Sequence, residues 1–428
     1  MYIDVCIGVS EFQLNELAAQ FHSKLRQAVF SGEFKRVGPD QDIDVQYDID
    51  QPPLFHLGDR IDHATAVQSL MSGMPKAGLA GLLGANEGEF NPEKLMTELL
   101  KDLPSFILEF PSIVINLISG SDKVKVALSG TVQAGVDSVG GRLVFSVMST
   151  RLSDGVTPAQ KWVIAFLEPE VQKAVRTLLD GLSITVPTVP GVNLSPFSVG
   201  IVHGTLLAVA VMNGPQPPRP QNPFPGFGPP FFVSLSADLL QTAADLALAN
   251  GKTLNGGDSS GSRPWAEVHY NYSFTAVRPR LRLEGEQLAA EFQISGHAGA
   301  GAVVVTVNIG IGVDIHAPMP PTVIFDLRSE GSKIKLVSVD VRDFFLIVQL
   351  SGPLRDLVGW MVNWLLTSIA NALKPQLVGY LRGVEFISLD LPTTSQDIAG
   401  TRITLTPSVR GKHSEGPFYV LDGKLTIT

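Results

Sequence analysis

A serine flanked by glycines is the first candidate for chemistry in this chain of 428 residues. The segment from Gly257 to Gly261 contains Ser259 and matches the G-x-S-x-G pattern, which exposes the nucleophilic serine of many hydrolases. That role needs a strained turn between a buried strand and a helix, whereas residues 255–262 are polar and rich in glycine. We therefore predict a flexible loop here, no catalytic residue, and a protein that is not an enzyme.

Metal chemistry is equally poorly supported by the spacing of possible ligands. Residues 40–44 begin like a calcium loop, but Val45 stands where glycine is needed and Gln51 where a bidentate glutamate is needed. The eight histidines show no metal-ligand spacing, and the single cysteine, Cys6, cannot complete a thiolate site. We expect no metal and no cofactor, and we expect residues 40–44 to lie on the wet face of a strand.

Two further segments have both a functional and a simpler interpretation. Residues 78–84 are rich in glycine but lack a nucleotide fingerprint and a preceding strand, which favours a loop or hinge. Arg278, Arg280 and Arg282 alternate along one strand face, where they would either meet a lipid headgroup or be solvated. The second interpretation is the more common one for such a row of charges.

Composition limits the partners of the chain. Hydrophobic residues make up 44% of it and charged residues only 17%, against roughly 25% in an average soluble domain. The net charge of −9 argues against nucleic-acid binding and against broad adsorption to anionic membranes, leaving at most transient membrane contact. The N-terminus lacks the pattern of a secretory signal, and one cysteine excludes an internal disulfide. We expect a cytoplasmic protein, or one released without a signal peptide.

A proline-rich segment divides the chain near its midpoint. Residues 213–230 form a predicted extended linker between an N-terminal module, residues 1–212, and a C-terminal module, residues 231–428. Each module opens with a short apolar strand that ends at a serine, Ser10 or Ser236, whose hydroxyl can cap the helix that follows. Matching openings at a separation of 226 residues indicate an internal duplication.

The remainder of each half repeats the same order of elements. Second helices are predicted over residues 158–179 and 353–381, and each precedes a matching strand and proline, at residues 183–188 and 388–393. Between the helices the hydrophobic pattern alternates with period 2, as in antiparallel strands. The first half has about 20 extra residues, assigned to a segment around residues 91–103 with a glycine-rich lead-in. The predicted fold class is α+β, with two tandem elongated modules.

The strand–serine–helix opening after the linker, residues 234–243, resembles that of the tubular lipid-binding superfamily, which includes bactericidal/permeability-increasing protein. The helix–sheet–helix order in both halves extends the resemblance to nearly the whole chain. It implies a highly curved antiparallel sheet wrapped around long helices in each module, with an apolar tunnel that holds lipid. The acidic chain, which lacks a signal, a disulfide pair and a cationic tip, is also similar to the accessory proteins encoded beside clostridial neurotoxins.

The leading hypothesis is non-enzymatic binding or transfer of a lipid or fatty-acid-like ligand in an internal hydrophobic tunnel. The alternative is a structural or interaction component of a toxin-related complex with protein partners. The apolar excess of the chain fits a lumen and fits extensive contact between modules equally well. The small residues of the helix after Ser236 are expected to leave room for an acyl chain. The candidate lipid-binding residues are Leu14, Leu17, Phe21, Leu240, Ala243, Ala247, Leu365 and Ile369.

Overall fold

The structure is a computed structural model of a sheet-rich α+β protein. It describes residues 3–37, 42–58, 104–153, 158–186, 188–189, 191–247, 252–263, 266–304, 307–316, 322–330, 333–342, 347–348, 389–390 and 393–428, with the single residues 367, 371 and 375. The predicted segments at 78–84 and 91–103 lie outside these residues, as does almost all of the predicted helix over 353–381. Within the described part, no helix is long and apolar enough to cross a membrane.

The first half of the chain contains ten strands, two α-helices and one π-helical turn, Arg26–Phe30, among its described residues. The predicted helix over residues 158–179 is confirmed. In chain order the elements are β1 (Val5–Ser10), α1 (Glu11–Leu25), β2 (Ser31–Val37), β3 (Asp42–Asp48), β4 (Leu54–His56), β5 (Ser105–Ser119), β6 (Asp122–Val139), β7 (Arg142–Leu152), α2 (Pro158–Gly181), β8 (Ile184–Thr185), β9 (Ser198–Val202) and β10 (Thr205–Ala210).

The second half contains twelve described strands and one described α-helix of more than a few residues. In chain order the elements are β11 (Phe231–Ser236), α3 (Ala237–Ala247), β12 (Lys252–Arg263), β13 (Ala266–Glu284), β14 (Gln287–Val304), β15 (Val307–His316), β16 (Thr322–Glu330), β17 (Lys333–Arg342), β18 (Ile347–Val348), β19 (Leu389–Asp390), β20 (Thr394–Ile398), β21 (Thr401–Glu415) and β22 (Phe418–Ile427).

The described strands form three antiparallel sheets. The first has the order β2-β3-β5-β6-β7-β8, with β4 beside β5, and the second has the order β12-β13-β14-β16-β17-β19, with β15 between β14 and β18. The third, which we call the central sheet, has the order β20-β21-β22-β11-β1-β10-β9 and draws strands from both halves. The strands that open the two halves, β1 and β11, lie side by side at its middle, with Val5 opposite Leu235.

Alternating side chains and bulges explain how the first sheet encloses a core. Along β5, Phe106, Leu108 and Phe110 are fully buried, while the residues between them are only partly buried. An irregularity in the pairing with β6 between Phe110 and Ile113 shifts the alternation, so that Ile113 is again buried. A bulge bends its strand and increases the local twist, which curls the sheet over the helices.

Both opening helices begin at the serine that the sequence predicts. The Oγ of Ser10 accepts a hydrogen bond from the Gln13 amide at 3.2 Å, and the Oγ of Ser236 accepts one from the Leu239 amide at 3.0 Å. The module boundaries and the superposition of the two halves stay predictions.

The proline-rich segment 213–230 is fixed to the central sheet. Ser198 donates its hydroxyl proton to the Pro217 carbonyl, and the Gly226 amide donates to the Glu415 carboxylate at 2.6 Å. Phe224 packs beside a small cluster on this face of the sheet, in which Cys6 and Phe232 are fully buried. Burial raises the pKa of the Cys6 thiol, so the thiol stays protonated and weakly nucleophilic.

One local prediction is wrong. Residues 257–261, predicted as a flexible loop, lie within the strand β12 and pair with β13, Ser259 standing opposite His269. Gly256 explains how a glycine-rich segment joins a sheet: a Cβ there would lie 2.2 Å from the Tyr272 hydroxyl on the neighbouring strand. The absence of a side chain therefore makes room for a buried tyrosine.

Candidate functional site

The predicted lipid-binding residues of α1 lie in the main hydrophobic core. Leu14, Leu17 and Phe21 are fully buried, and on α3 Leu240 and Ala243 retain only 1% and 5% of their exposure. None of these five residues lines either of the two cavities described below. Ala247 ends α3, and its side chain lies outside the described part of the structure, as do Leu365 and Ile369 entirely.

The larger of the two cavities lies between α2, the π-helical turn, the β2–β3 hairpin and the turn that joins β20 to β21. We call it the helix-side cavity; its volume is about 530 Å³. Its apolar wall comprises Val29, Phe34, Tyr47, Ala174 and Ile398. Its polar lining comprises Ser31, Glu33, Glu170, Lys173 and Thr177. A cavity of this size and mixed lining is suited to a small amphiphilic molecule.

Tyr47 organises the polar part of the helix-side cavity. Its ring lies across Gly32 of the paired strand, where a Cβ would be 2.8 Å from the ring, and it is tilted against Phe34 at 6.5 Å between centroids. Its hydroxyl lies beside the Glu170 carboxylate on α2. Burial first, and then the charge and hydrogen bond of Glu170, raise the pKa of Tyr47 to about 12.

The raised pKa of Tyr47 predicts a defined response to alkaline pH. Folding favours the neutral phenol, so its contribution to stability is full below the unfolded-state pKa of about 10 and is lost as pH rises towards about 12. Tyrosinate absorbs more strongly in the ultraviolet than neutral tyrosine. We expect the difference in this absorbance between the wild type and Tyr47→Phe to appear only near pH 12. A difference centred near pH 10 would contradict the buried contact with Glu170.

The turn between β20 and β21 closes one side of the helix-side cavity, although it lies far along the chain from α2. Gln396 donates its side-chain amide to the Asp180 carbonyl at 3.0 Å, and the hydroxyls of Thr394 and Thr185 lie 3.2 Å apart. Ile398 reaches the backbone of Gly181 near the end of α2. Ala399, at the tip, has a φ of 49°, a left-handed conformation that is uncommon for alanine.

The second cavity lies between the tip of the β6–β7 hairpin and the segment that connects β8 to β9. We call it the loop-side cavity; its volume is about 440 Å³. Its apolar wall comprises Val186, Val189, Val192, Leu194 and Phe197. The hairpin tip beside it, Gly140 and Gly141, has positive φ at both residues, which permits the tight turn that ends β6 and begins β7.

The sequence did not single out the residues of either cavity. Tyr47 and Glu170 join only through the fold, because more than a hundred residues separate them along the chain. Among the described residues, no group of three histidine, cysteine, aspartate or glutamate side chains is placed to hold a metal. The side chain of Ser259 lies outside the described part of the structure.

No protein-family model matches the chain, and no curated protein matches it. Among solved structures it is similar to a lipopolysaccharide binding protein, with 12% identity and a TM-score of 0.34 over 100% of this chain and 99% of that one. It is also similar to P47 of Clostridium botulinum E1, with 10% identity and a TM-score of 0.39 over 99% of both chains. Both similarities extend over nearly the whole chain at low identity. Both TM-scores are below 0.5, so neither similarity locates a ligand or a partner in this chain.

Proposed function

We propose that this protein binds and carries a lipid or another apolar ligand and catalyses no reaction. The observation that carries the proposal is the helix-side cavity, which combines an apolar wall with a polar lining along α2 and β2. Burying an alkyl chain gains roughly 0.8 kcal/mol per methylene group, so even partial filling of such a space retains an amphiphile.

The position of the helix-side cavity supports a carrying role. Its walls come from the π-helical turn, the edge of the first sheet, α2 and the β20–β21 turn. The turn is held over α2 by the hydrogen bond between Gln396 and Asp180, neither of which is buried, and by the buried side chains of Ile398 and Thr394. Entry of a ligand by local displacement of the turn would separate these contacts.

We further propose the finer architecture on which carrying in both halves would depend: two modules, residues 1–212 and 231–428, each a curved sheet around its helices. Equivalent contacts at matching separations support this proposal. Asn15 on α1 accepts a hydrogen bond from the Phe55 amide at 2.6 Å, and Gln241 on α3, 226 residues later, accepts one from the Leu281 amide at 2.8 Å. In both cases a helix side chain satisfies a strand backbone of its own half.

A substitution that fills the helix-side cavity tests the proposal. Thr177→Trp places a large ring at a partly buried lining position of α2, with an overpacking cost of about 1–3 kcal/mol. We expect a folded variant that takes up a fluorescent fatty acid at least about tenfold more weakly than the wild type, a loss of ~1.4 kcal/mol. Mass spectrometry of organic extracts from natively purified protein should show correspondingly less passenger.

Arg176→Trp is the matched control, because Arg176 is exposed on the same helix and does not line the cavity. The Arg176→Trp variant should carry as much lipid as the wild type. If Thr177→Trp is folded and carries as much lipid as the control, the helix-side cavity is not the carrying site. If the wild type carries no passenger and takes up no fatty acid, the carrier proposal fails, and the alternative of a structural component in a protein complex gains support.

A further inference from the structure

The loop-side cavity has a lining of a different chemical kind from that of the helix-side cavity. None of its described lining residues is ionisable. Its polar lining is limited to the uncharged side chains of Ser138, Thr188, Asn193 and Ser195 beside the five apolar wall residues. The helix-side cavity, in contrast, contains Glu33, Glu170 and Lys173. The two cavities therefore differ in the charges that their lining side chains offer to a ligand.

Backbone hydrogen bonds fix the wall of the loop-side cavity. The Val186 amide donates to the Gly141 carbonyl at 3.0 Å, which joins the wall to the hairpin tip. On the other side, the Ser195 amide donates to the Val211 carbonyl at 2.8 Å, and the Asn213 amide donates to the Asn193 carbonyl at 3.0 Å. Because protein groups alone make these bonds, a ligand bears little ordering cost on entry.

Only some of the polar groups are available to a ligand. The hydroxyl of Ser195 already accepts a hydrogen bond from the Val211 amide and donates one to the Pro196 carbonyl. Asn193 and Thr188 are exposed at the rim, and the Asn193 side-chain amide has no hydrogen-bond partner among the described residues. The rim therefore offers a neutral donor and acceptor to one polar end of a ligand whose remainder lies among valine, leucine and phenylalanine side chains.

We propose that the loop-side cavity is a second ligand site, specific for an uncharged single-chain lipid such as a long-chain alcohol. A carboxylate or ammonium group at this rim meets no opposite charge among the described lining residues and loses part of its hydration, which disfavours it against a hydroxyl. The inference deepens the proposed function by naming a ligand class, but it concerns a separate cavity with its own variants. Success or failure at one cavity can therefore be told apart from that at the other.

Calorimetric titration with three probes of equal chain length tests the proposal: decanol, decanoate and decyltrimethylammonium. In the Thr177→Trp protein, whose helix-side cavity is filled, we expect decanol to bind with a Kd at least about tenfold lower than that of either charged probe. Val192→Trp, at a partly buried lining position, should abolish most of this binding. Val144→Trp, on an exposed strand position that lines neither cavity, should leave it unchanged.

A second variant keeps the test valid if Val192→Trp does not fold. Asn193→Lys adds a cation at the exposed rim, and we expect it to raise the affinity for decanoate about tenfold while the affinity for decanol changes little. Arg142 follows the hairpin tip and is exposed, so it is a candidate to recruit an anion in the wild type. Preferential binding of decanoate by the wild type, lost in Arg142→Gln, would overturn the proposal. Decanol binding that survives Val192→Trp but not Thr177→Trp would also overturn it.

Discussion

Phe21→Ala is expected to lower the free energy of unfolding by about 3–5 kcal/mol, as is usual when a fully buried phenylalanine is truncated. Phe21 is 0% exposed and makes an edge-to-face contact with Phe30 at 6.1 Å between ring centroids. Its ring also lies against the end of α2, because a Cβ on Gly181 would be 2.4 Å from Phe21 Cε2. One side chain thus joins α1, α2 and the π-helical turn, and its loss leaves a cavity that none of the three can readily fill.

Phe12→Ala is the matched control, since Phe12 lies on the same helix and is 62% exposed. Its effect should stay within about 0.5 kcal/mol. Guanidinium unfolding followed by circular dichroism measures both variants, with the slope checked to show that the transition itself is unchanged. A loss below about 1 kcal/mol for Phe21→Ala would place its ring beside adaptable space, as the original hypothesis of a tunnel-lining residue requires.

The helix α1 shows what hydrophobic periodicity can and cannot predict. The apolar stripe of α1 correctly predicts which face is buried, since Leu14, Leu17 and Phe21 are all inaccessible. The apolar stripe does not tell whether α1 packs against core side chains or lines a tunnel, because a packed core and a tunnel wall require the same residue types. That distinction depends on the distance between α1 and its surrounding strands, which is a property of the fold.

The edge strands show a related limit. Glycine and serine have low strand propensity, so the sequence around Ser259 predicts a loop, yet it pairs along β12. The same arrangement occurs in the first and second sheets: Gly32 of β2 lies beneath Tyr47 of β3, and Gly256 of β12 lies beneath Tyr272 of β13. A glycine opposite a buried tyrosine is a cross-strand relation, and it becomes visible only when the register is known.

The cavities depend on still longer-range relations. The helix-side cavity needs Tyr47, Glu170 and Ile398 together, and these come from three distant parts of the chain. The loop-side cavity arises where the connection between β8 and β9 passes the β6–β7 hairpin tip. By contrast, the local signals for the opening helices, a serine cap after an apolar strand, lie within a few residues of each other, and the structure has both caps.

The two serine caps should nevertheless differ in strength, which gives the second large effect. Ser10→Ala is expected to cost about 1 kcal/mol, the usual value for a lost helix cap. Ser236→Ala is expected to cost about 2–3 kcal/mol, because the Ser236 hydroxyl also donates to Asp4 Oδ1 at 2.6 Å. Asp4 is only 7% exposed, and its other oxygen accepts a hydrogen bond from the Met212 amide at 2.7 Å.

The physical reason for the larger loss is the charge that Ser236→Ala leaves behind. Asp4 lies on the strand side of the α3 N-terminus, and without the hydroxyl its buried carboxylate loses a donor that water cannot easily replace. Asp4→Ala should then cost less in the Ser236→Ala background than in the wild type, because only the acceptor of the Met212 amide is still to be lost, so the two substitutions will be non-additive in guanidinium unfolding. Equal losses for Ser10→Ala and Ser236→Ala, or simple additivity with Asp4→Ala, would show that the two residues are not energetically coupled.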